Sequence, residues 1–549
     1  MRIDRTRARR RAAVPAALLT AALAVAVAAP ALPAGAAAPP AGATAATAST
    51  ADRAVDDALD EYLQVHRTPG LALVTLVDGD VQLRSHGVTG DGTPVGEDTP
   101  MRIGSMTKAF TALAVLQQVD AGRLDLDDPV AEVLPELRMA DERYRDITVE
   151  HLLTHRSGLA ATDLEYAADP ADSAAETVAR LSGEELASDP GTVTLYSNAG
   201  YDVLARLVEH TAGVPFGEYL AGHVLEPLGM ADTLATSRCE AAVPGLARGF
   251  SILGPVRVAV PDLPQACTGS GGIVSTAHDM AAWLRFQVSG GTTPDGERLL
   301  RPDTFRAFHE VPADPAGYGF GWHATGTDGE APLVGHGGTL ATFASGIEFS
   351  PETGTGAVVL ANAAGDPMAL THDAIVAADG GTPRGTTNPF DPFNAVVVGI
   401  AALVLVAGAL VVGRARRWAA RRVATPPGRV ALRLVPIALF AVLGLALPWL
   451  GATLMGLTEP VAAYRVVLWL YPAVVLLGLA LFLAGGAGLT ARLVRLRSAR
   501  RGATQAGTTQ AGTARPDGNR PDGNRPDGNR PDSGRPDGDR LTPAPAPRR

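Results

Sequence analysis

A chain of 549 residues with 46% hydrophobic and 19% charged side chains is too long for one ordinary domain and too apolar to be disordered throughout. Its net charge of −10 is unevenly spread: residues 1–50 carry six arginines and one acid, 51–390 carry 20 basic and 48 acidic groups, and 391–549 carry 21 arginines and eight acids. The acidic centre repels phosphates, which excludes nucleic acid as its partner and leaves a small molecule or a cell-envelope polymer.

In chain order, Arg2, Arg5, Arg7 and Arg9 to Arg11 precede an Ala/Leu/Val run over 12–29 and small residues at Ala34-Gly35-Ala36. This is the pattern of a secretory signal, residues 1–36, cleaved near Ala36 or kept as an anchor. An Ala/Pro/Thr-rich spacer (37–50) leads into a domain of 51–380. Residues 55–65 read as a helix, and 71–77 and 81–85 flank Asp78-Gly79-Asp80, a hairpin signal. From 106 to 119 the chain is nearly all apolar or small and stops at Asp120-Ala121-Gly122, which predicts a helix buried in mid-domain. Ser105 sits at its N-terminus, where the dipole and free N–H groups favour a developing anion. A second helix is expected over 199–208 and a strand over the alternating residues 340–349.

Two cysteines occur, Cys239 and Cys267. In an exported domain a disulfide between them is permitted, and two buried thiols are the alternative. No Cys/His set has ligand spacing, so neither a metal nor another cofactor is expected.

Beyond a linker (381–394) come three uncharged apolar runs, 395–412, 434–457 and 466–489, each long enough to cross about 30 Å of hydrocarbon. The loop 413–433 holds seven arginines whereas 458–465 holds one, so the positive-inside rule makes the first cytoplasmic and the acidic domain extracytoplasmic. The expectation is a multi-pass protein of the cell membrane. Residues 490–549, with Arg-Pro-Asp-Gly-Asn repeats over 515–529, read as a disordered cytoplasmic tail.

The chemistry starts from an asymmetry. Of 47 basic side chains, 46 are arginine and one is lysine, Lys108. Arginine stays protonated in proteins, whereas a crowded or desolvated lysine can lose its proton and act as a base. Ser105 precedes it by three residues, one helical turn away on the same face. Tyr196-Ser197-Asn198 and His336-Gly337-Gly338 follow downstream. A hydrogen-bonded loop tyrosine and a glycine turn would explain either taken singly.

In this order and spacing, Ser-x-x-Lys, Tyr-x-Asn and His-x-Gly resemble the serine β-lactamase and penicillin-binding protein superfamily, and more closely its class C β-lactamase-related branch of D-Ala-D-Ala carboxypeptidases and esterases. The stretches 101–104, 147–159 and 271–280 fit the same branch. The resemblance covers about 55–378. It implies an α+β fold, an antiparallel sheet flanked by helices plus an all-helical subdomain, here followed by the three transmembrane helices. It implies a serine hydrolase in which Ser105 is acylated, Lys108 accepts or electrostatically assists the proton, and Tyr196 relays protons to the leaving group and to water. Asn198 would hold the acyl amide or orient Lys108, and the N–H groups of Ser105 and Thr339, the latter beside Gly338, would form the oxyanion hole. His336 would contact substrate or support the Tyr196–Lys108 pair. Many class C β-lactamases carry Lys-Thr-Gly at that point, so a histidine disfavours efficient β-lactam hydrolysis. His151 and His155 are expected to be packing residues. The substrate is then a small molecule or peptidoglycan fragment, and the rival reading is a penicilloyl or muropeptide receptor that signals through the helices.

Overall fold

The computed structural model describes residues 49–159, 171–236, 243–253, 256–261, 268–312, 317–326, 332–388, 390–454, 467–468 and 471–511. The expected signal, the loop 458–465, the repeats and both cysteines lie outside these residues. Helix α1 (Thr50–His66) opens on a capping box, with Asp52 N–H donating to Ser49 Oγ (3.0 Å) and Ser49 N–H to the Asp52 carboxylate (3.1 Å). It ends at Arg67 in the left-handed conformation, φ 51°. The hairpin follows as β1 (Gly70–Val77) and β2 (Asp80–Gly87), and Asp78 and Gly79 take the two positive φ values, 52° and 84°, of a two-residue turn.

Short strands come next: β3 (Met101–Arg102), β4 (Leu234–Ala235), the pair β5 (Phe250–Leu253) and β6 (Val256–Ala259), and β7 (Ile273–Ser275), which lies between β3 and β4. The main sheet is completed by β8 (His323–Ala324), β9 (Val334–Thr339), β10 (Ala344–Phe349) and β11 (Gly356–Ala361), antiparallel in the order β2-β1-β11-β10-β9-β8. Strand β1 is apolar on both faces because both are covered. Its alternation sends Leu71 and Leu73 toward Val359, Leu370 and Ile375, and sends Ala72, Val74 and Leu76 into a second core with Leu284, Ile347 and Val358. Each such leucine contributes about 2 kcal/mol by leaving water.

The helices that shape the site are α2 (Thr107–Asp120), α3 (Val149–Leu153), α4 (Ala174–Arg180), α5 (Asn198–Ala212), α6 (Ala277–Val288) and α7 (Pro367–Ala378). Helices α1 and α7 cover one face of the sheet, and α6 and the helical subdomain, α2 to α5, cover the other. This is the α+β architecture expected from sequence. Every residue of α2 from Thr107 to Leu116 is buried, as its nearly uniform apolar character predicts.

The strand read over 340–349 is corrected. Backbone pairing is confined to Ala344–Phe349, and His336-Gly337-Gly338 forms the preceding strand β9 rather than a turn before the strand. Residues 340–343 are the connection, closed by Leu340 N–H donating to Phe343 O at 2.9 Å. Leu340 and Phe343 are buried, so the apolar pattern runs on through the turn and disguises it.

At the C-terminal end α8 (Phe390–Ala420), α9 (Pro427–Leu454) and α10 (Pro472–Ala511) include three stretches long and apolar enough to cross a membrane, Pro392–Ala420, Pro427–Gly451 and Pro472–Gln505. Helices α9 and α10 meet at Gly444 and Gly478, where a Cβ on either would stand under 3 Å from the other's carbonyl oxygen, so small residues set the close approach. Helix α10 continues past 489 into the segment read as tail, because its Ala, Leu and Arg content favours helix and polar flanks do not interrupt it.

Candidate active site

The chain enters the site from β3, through Ile103 and a 3₁₀ turn, Gly104–Met106, that feeds α2. Ser105 is the partly exposed residue of this otherwise buried stretch. Strand β9 lies directly against the turn. A Cβ on Gly338 would fall 2.1 Å from Ile103 O and 2.4 Å from Ser345 Oγ, so only glycine permits the contact. The Ser345 hydroxyl then donates to Ile103 O at 2.6 Å and stitches β10 to the same turn. Thr339 follows as the exposed last residue of β9, next to the Gly338 that packs on Gly104.

One turn into α2, Lys108 is fully buried. Its ammonium donates to Ser105 Oγ (3.1 Å), Asn198 Oδ1 (2.7 Å) and Ser270 O (2.9 Å), three acceptors for three hydrogens. The same nitrogen stands 4.7 Å from the centre of the Tyr196 ring and 5.7 Å from that of Tyr201. Asn198 is placed by its position as first residue of α5, whose cap is Ser197, with Gly200 N–H donating to Ser197 Oγ at 3.3 Å. Ser270 is held from two sides. Buried Asp202 accepts its N–H at 2.8 Å, and Thr111 donates to Gly269 O at 2.7 Å. Thr107, Lys108 and Thr111 thus fasten the segment 269–273 to one face of α2, with Ile273 N–H donating to Thr107 Oγ1 at 3.2 Å. That is the physical content of the 271–280 stretch noticed in the sequence.

Histidine occupies the rest of the site in neutral form. The His336 ring nitrogens meet Gly337 O at 2.6 Å and the Tyr318 hydroxyl at 3.0 Å. A carbonyl can only accept, so Nδ1 carries the proton and Nε2 accepts from Tyr318. Burial, His323 and Lys108 together push His336 well below its ordinary range. Burial holds the Tyr318 phenol well above its own, so it stays a donor. The histidine at the place of a family lysine is therefore uncharged through the neutral range.

Sequence reasoning brought together Ser105, Lys108, Tyr196, Asn198, Gly338 and Thr339, and the structure places them in one cluster. His336 belongs to it at one remove, its ring 6.3 Å from that of Tyr196. Tyr318, Ser270 and Asp202 were not singled out. Tyr318 had one signal, the glycines alternating through Tyr318-Gly-Phe-Gly-Trp322, since Gly321 has φ 85° and a Cβ there would meet Ala109 backbone at 2.8 Å. His151 is a helix-end residue, its Nδ1 accepting from Thr148 N–H at 3.3 Å. His155 does more than pack. It adopts φ 56°, accepts the Ser197 N–H on Nδ1 (3.1 Å) and the Leu195 N–H on its carbonyl (2.7 Å), and lays its ring 4.2 Å from that of Tyr196. The residues on either side of Tyr196, Leu195 and Ser197, are thus both held through their N–H groups by this one residue. Burial and then Lys108 push His155 well below its ordinary range, so Nδ1 remains an acceptor.

A Ser–Lys–Asn–Tyr cluster built on a buried lysine between the helical subdomain and an antiparallel sheet defines a class, the serine hydrolases of β-lactamase type, and the chain belongs to the beta-lactamase family, matching it over residues 55–382. It is 32% identical to penicillin-binding protein 4 of Amycolatopsis lactamdurans over 322 residues, 56% of this chain and 84% of that protein. To protein flp of Staphylococcus aureus (strain MW2) it is 27% identical over 399 residues, 70% of this chain and 77% of that one. Among solved structures it is similar to the octameric penicillin-binding protein homologue from Pyrococcus abyssi, with 27% identity, TM-score 0.53, and 62% of this chain and 80% of that chain covered. It shares its fold with a class C beta-lactamase at 19% identity, TM-score 0.52, with 61% and 99% covered.

Proposed function

We propose that the chain is a membrane-anchored extracytoplasmic serine hydrolase that works through an acyl-enzyme on Ser105, acting on D-Ala-D-Ala-type peptides or on esters. The observation that carries this is the Lys108 ammonium, buried and shared among Ser105 Oγ, Asn198 Oδ1 and Ser270 O. A hydroxyl at a partly exposed helix entrance, within hydrogen-bond reach of a buried amine, is the nucleophile–base geometry of acyl transfer.

In the resting arrangement all three ammonium hydrogens are engaged, so the Lys108–Tyr196 pair accepts the Ser105 proton only in the state that lacks one proton, amine with phenol or ammonium with phenolate, and the two act as one coupled group. Ser105 Oγ attacks the substrate carbonyl as that group takes the proton. The N–H groups of Ser105 and Thr339 receive the oxyanion. The proton passes to the departing amine or alkoxide as the bond to it breaks. Water, deprotonated by the same pair, then cleaves the acyl-serine and returns the proton. Asn198 and Ser270 hold Lys108 in place throughout, which makes Asp202 and Thr111 positioning residues.

The neutral His336 guides the substrate assignment. A lysine there would pair with a substrate carboxylate, whereas a neutral imidazole supported by Tyr318 offers a weaker, uncharged contact. Esters and peptides whose carboxylate is not essential for binding should turn over faster than β-lactams. The penicillin-binding proteins among the relatives support the peptide branch of this reading. Incubation of the purified chain with a D-Ala-D-Ala depsipeptide or a short-chain ester, quenching, and peptide mass mapping should reveal an acyl adduct on Ser105. An adduct on another residue, or hydrolysis with none on Ser105 under rapid quenching, overturns the assignment.

A further inference from the structure

The ends of α8 to α10 around the α8–α9 turn gather a concentrated positive charge. Residues 413–433 and 490–511 contain twelve arginines and no acid. Two of these arginines converge on one ring: the guanidinium carbons of Arg422 and Arg492 stand 4.8 and 4.9 Å from the centre of Trp418. Arg422 also donates to Trp418 O at 3.1 Å, and Arg500 donates to Val423 O (3.2 Å) and Thr425 O (2.6 Å), tying the α8–α9 turn to α10. The Nε–H groups of Arg422 and Arg492 are buried and have no acceptor among the described residues. Like charges gathered about one aromatic ring repel one another, and an unmet guanidinium donor costs more than a neutral one.

We propose that this cluster binds the phosphate of an anionic phospholipid headgroup. A phosphate oxygen pair matches the planar fork of a guanidinium, and two guanidinium groups gathered about one tryptophan offer such a phosphate two cationic donors. The surroundings choose the lipid over a free anion. Val494 is exposed two residues from Arg492 on α10, and Leu432 (72% exposed) and Val435 are exposed on α9 beside Arg433. They give acyl chains an apolar surface on the helices around the cluster, while an aqueous phosphate has no use for them. Trp418 stands where aromatic residues mark a bilayer boundary.

The test uses the full chain with Trp449 and Trp469 replaced by phenylalanine, so that Trp418 reports on bound lipid, in phosphatidylcholine nanodiscs. Quenching is compared for phosphatidylglycerol and phosphatidylcholine brominated at the same position high in the acyl chain. The site predicts a preference for phosphatidylglycerol of at least about fivefold in relative association constant, falling to about twofold or less in Arg422→Gln/Arg492→Gln. Equal quenching by the two lipids in the unmutated cluster overturns the proposal, whatever the variant does. An undiminished preference in a variant that reconstitutes places the lipid elsewhere and also overturns it. Loss of the preference on adding inorganic phosphate at constant ionic strength identifies a free anion as the occupant and rejects the lipid.

Discussion

The two ends of the chain handle buried cations in opposite ways. In the domain one lysine is enclosed with three oxygen acceptors supplied by the turn before α2, by α5 and by the segment before β7. At the ends of the membrane-type helices two arginines share a tryptophan and leave their Nε–H groups without an acceptor among the described residues. A cation whose donors are all met internally is a finished device, rigid and ready to exchange a proton with the one acceptor that can react. A cluster whose donors are unmet is completed by its surroundings. Residue choice follows the same division, since lysine can give up a proton and arginine cannot.

The comparison breaks most sharply at Ser105. Ser105→Ala should reduce labelling by a fluorescent penicillin or a fluorophosphonate by at least about 1000-fold. Persistent labelling would mean that the lysine serves a structural role only. Lys108→Arg comes next, since it imports into the domain the cation that the helices use. Charge is kept and basicity lost, so acylation should fall by roughly 100- to 1000-fold while circular dichroism shows an intact fold. An active arginine variant would show that charge alone suffices and would erase the distinction between the two regions.

His155→Phe sharpens the role of packing around the lysine. The ring contact with Tyr196 survives, but the Ser197 N–H loses its acceptor, at a cost of about 1–3 kcal/mol read from denaturant unfolding. If His155 positions Tyr196, kcat should also drop by about tenfold with KM little changed; a purely structural histidine would lower stability and leave kcat alone.

The smallest effect concerns Glu348, a buried acid on the opposite face of the sheet whose carboxylate accepts from Thr371 at 2.8 Å. Burial pushes it up to about 7. Between its ordinary value and 7 the folded state binds more protons than the unfolded state, so its contribution to stability falls as pH rises through that window. Glu348→Gln should therefore be neutral at pH 5 and stabilising at pH 8, by about 2 kcal/mol. The buried histidines His155 and His336 act in the reverse sense, destabilising the fold as pH falls below the ordinary histidine range. Paired measurements of Tm on variant and parent, rather than the parent curve, isolate Glu348. A difference that does not grow with pH would show that the carboxylate is solvated.

Much of the domain was legible because local rules and global packing agree in it. The hairpin at Asp78-Gly79, the helix beginning beside Ser105 and the helix after Tyr196 each combine a turn or cap signal with a matching apolar period. The strand read over 340–349 failed because Leu340 and Phe343 are buried in a turn, and burial, unlike hydrogen bonding, is all that an apolar pattern reports. Ser270 contributes to the site through its backbone carbonyl, which any residue possesses, so no sequence signal could mark it.

By itself the sequence determined which chemistry was available: one lysine a turn from a serine, a tyrosine and an asparagine at fixed spacing, and three apolar runs with arginines at their ends. Those are properties of side chains and local period, and they are written residue by residue. The tertiary structure decided which donors meet which acceptors. Asn198 and Ser270 are brought to Lys108 from 90 and 162 residues away, and His155 becomes a clamp on Tyr196 only when α3 and α5 are folded together. Hydrogen bonds and desolvation act over a few ångströms, so distances of this kind are set only when the chain is packed.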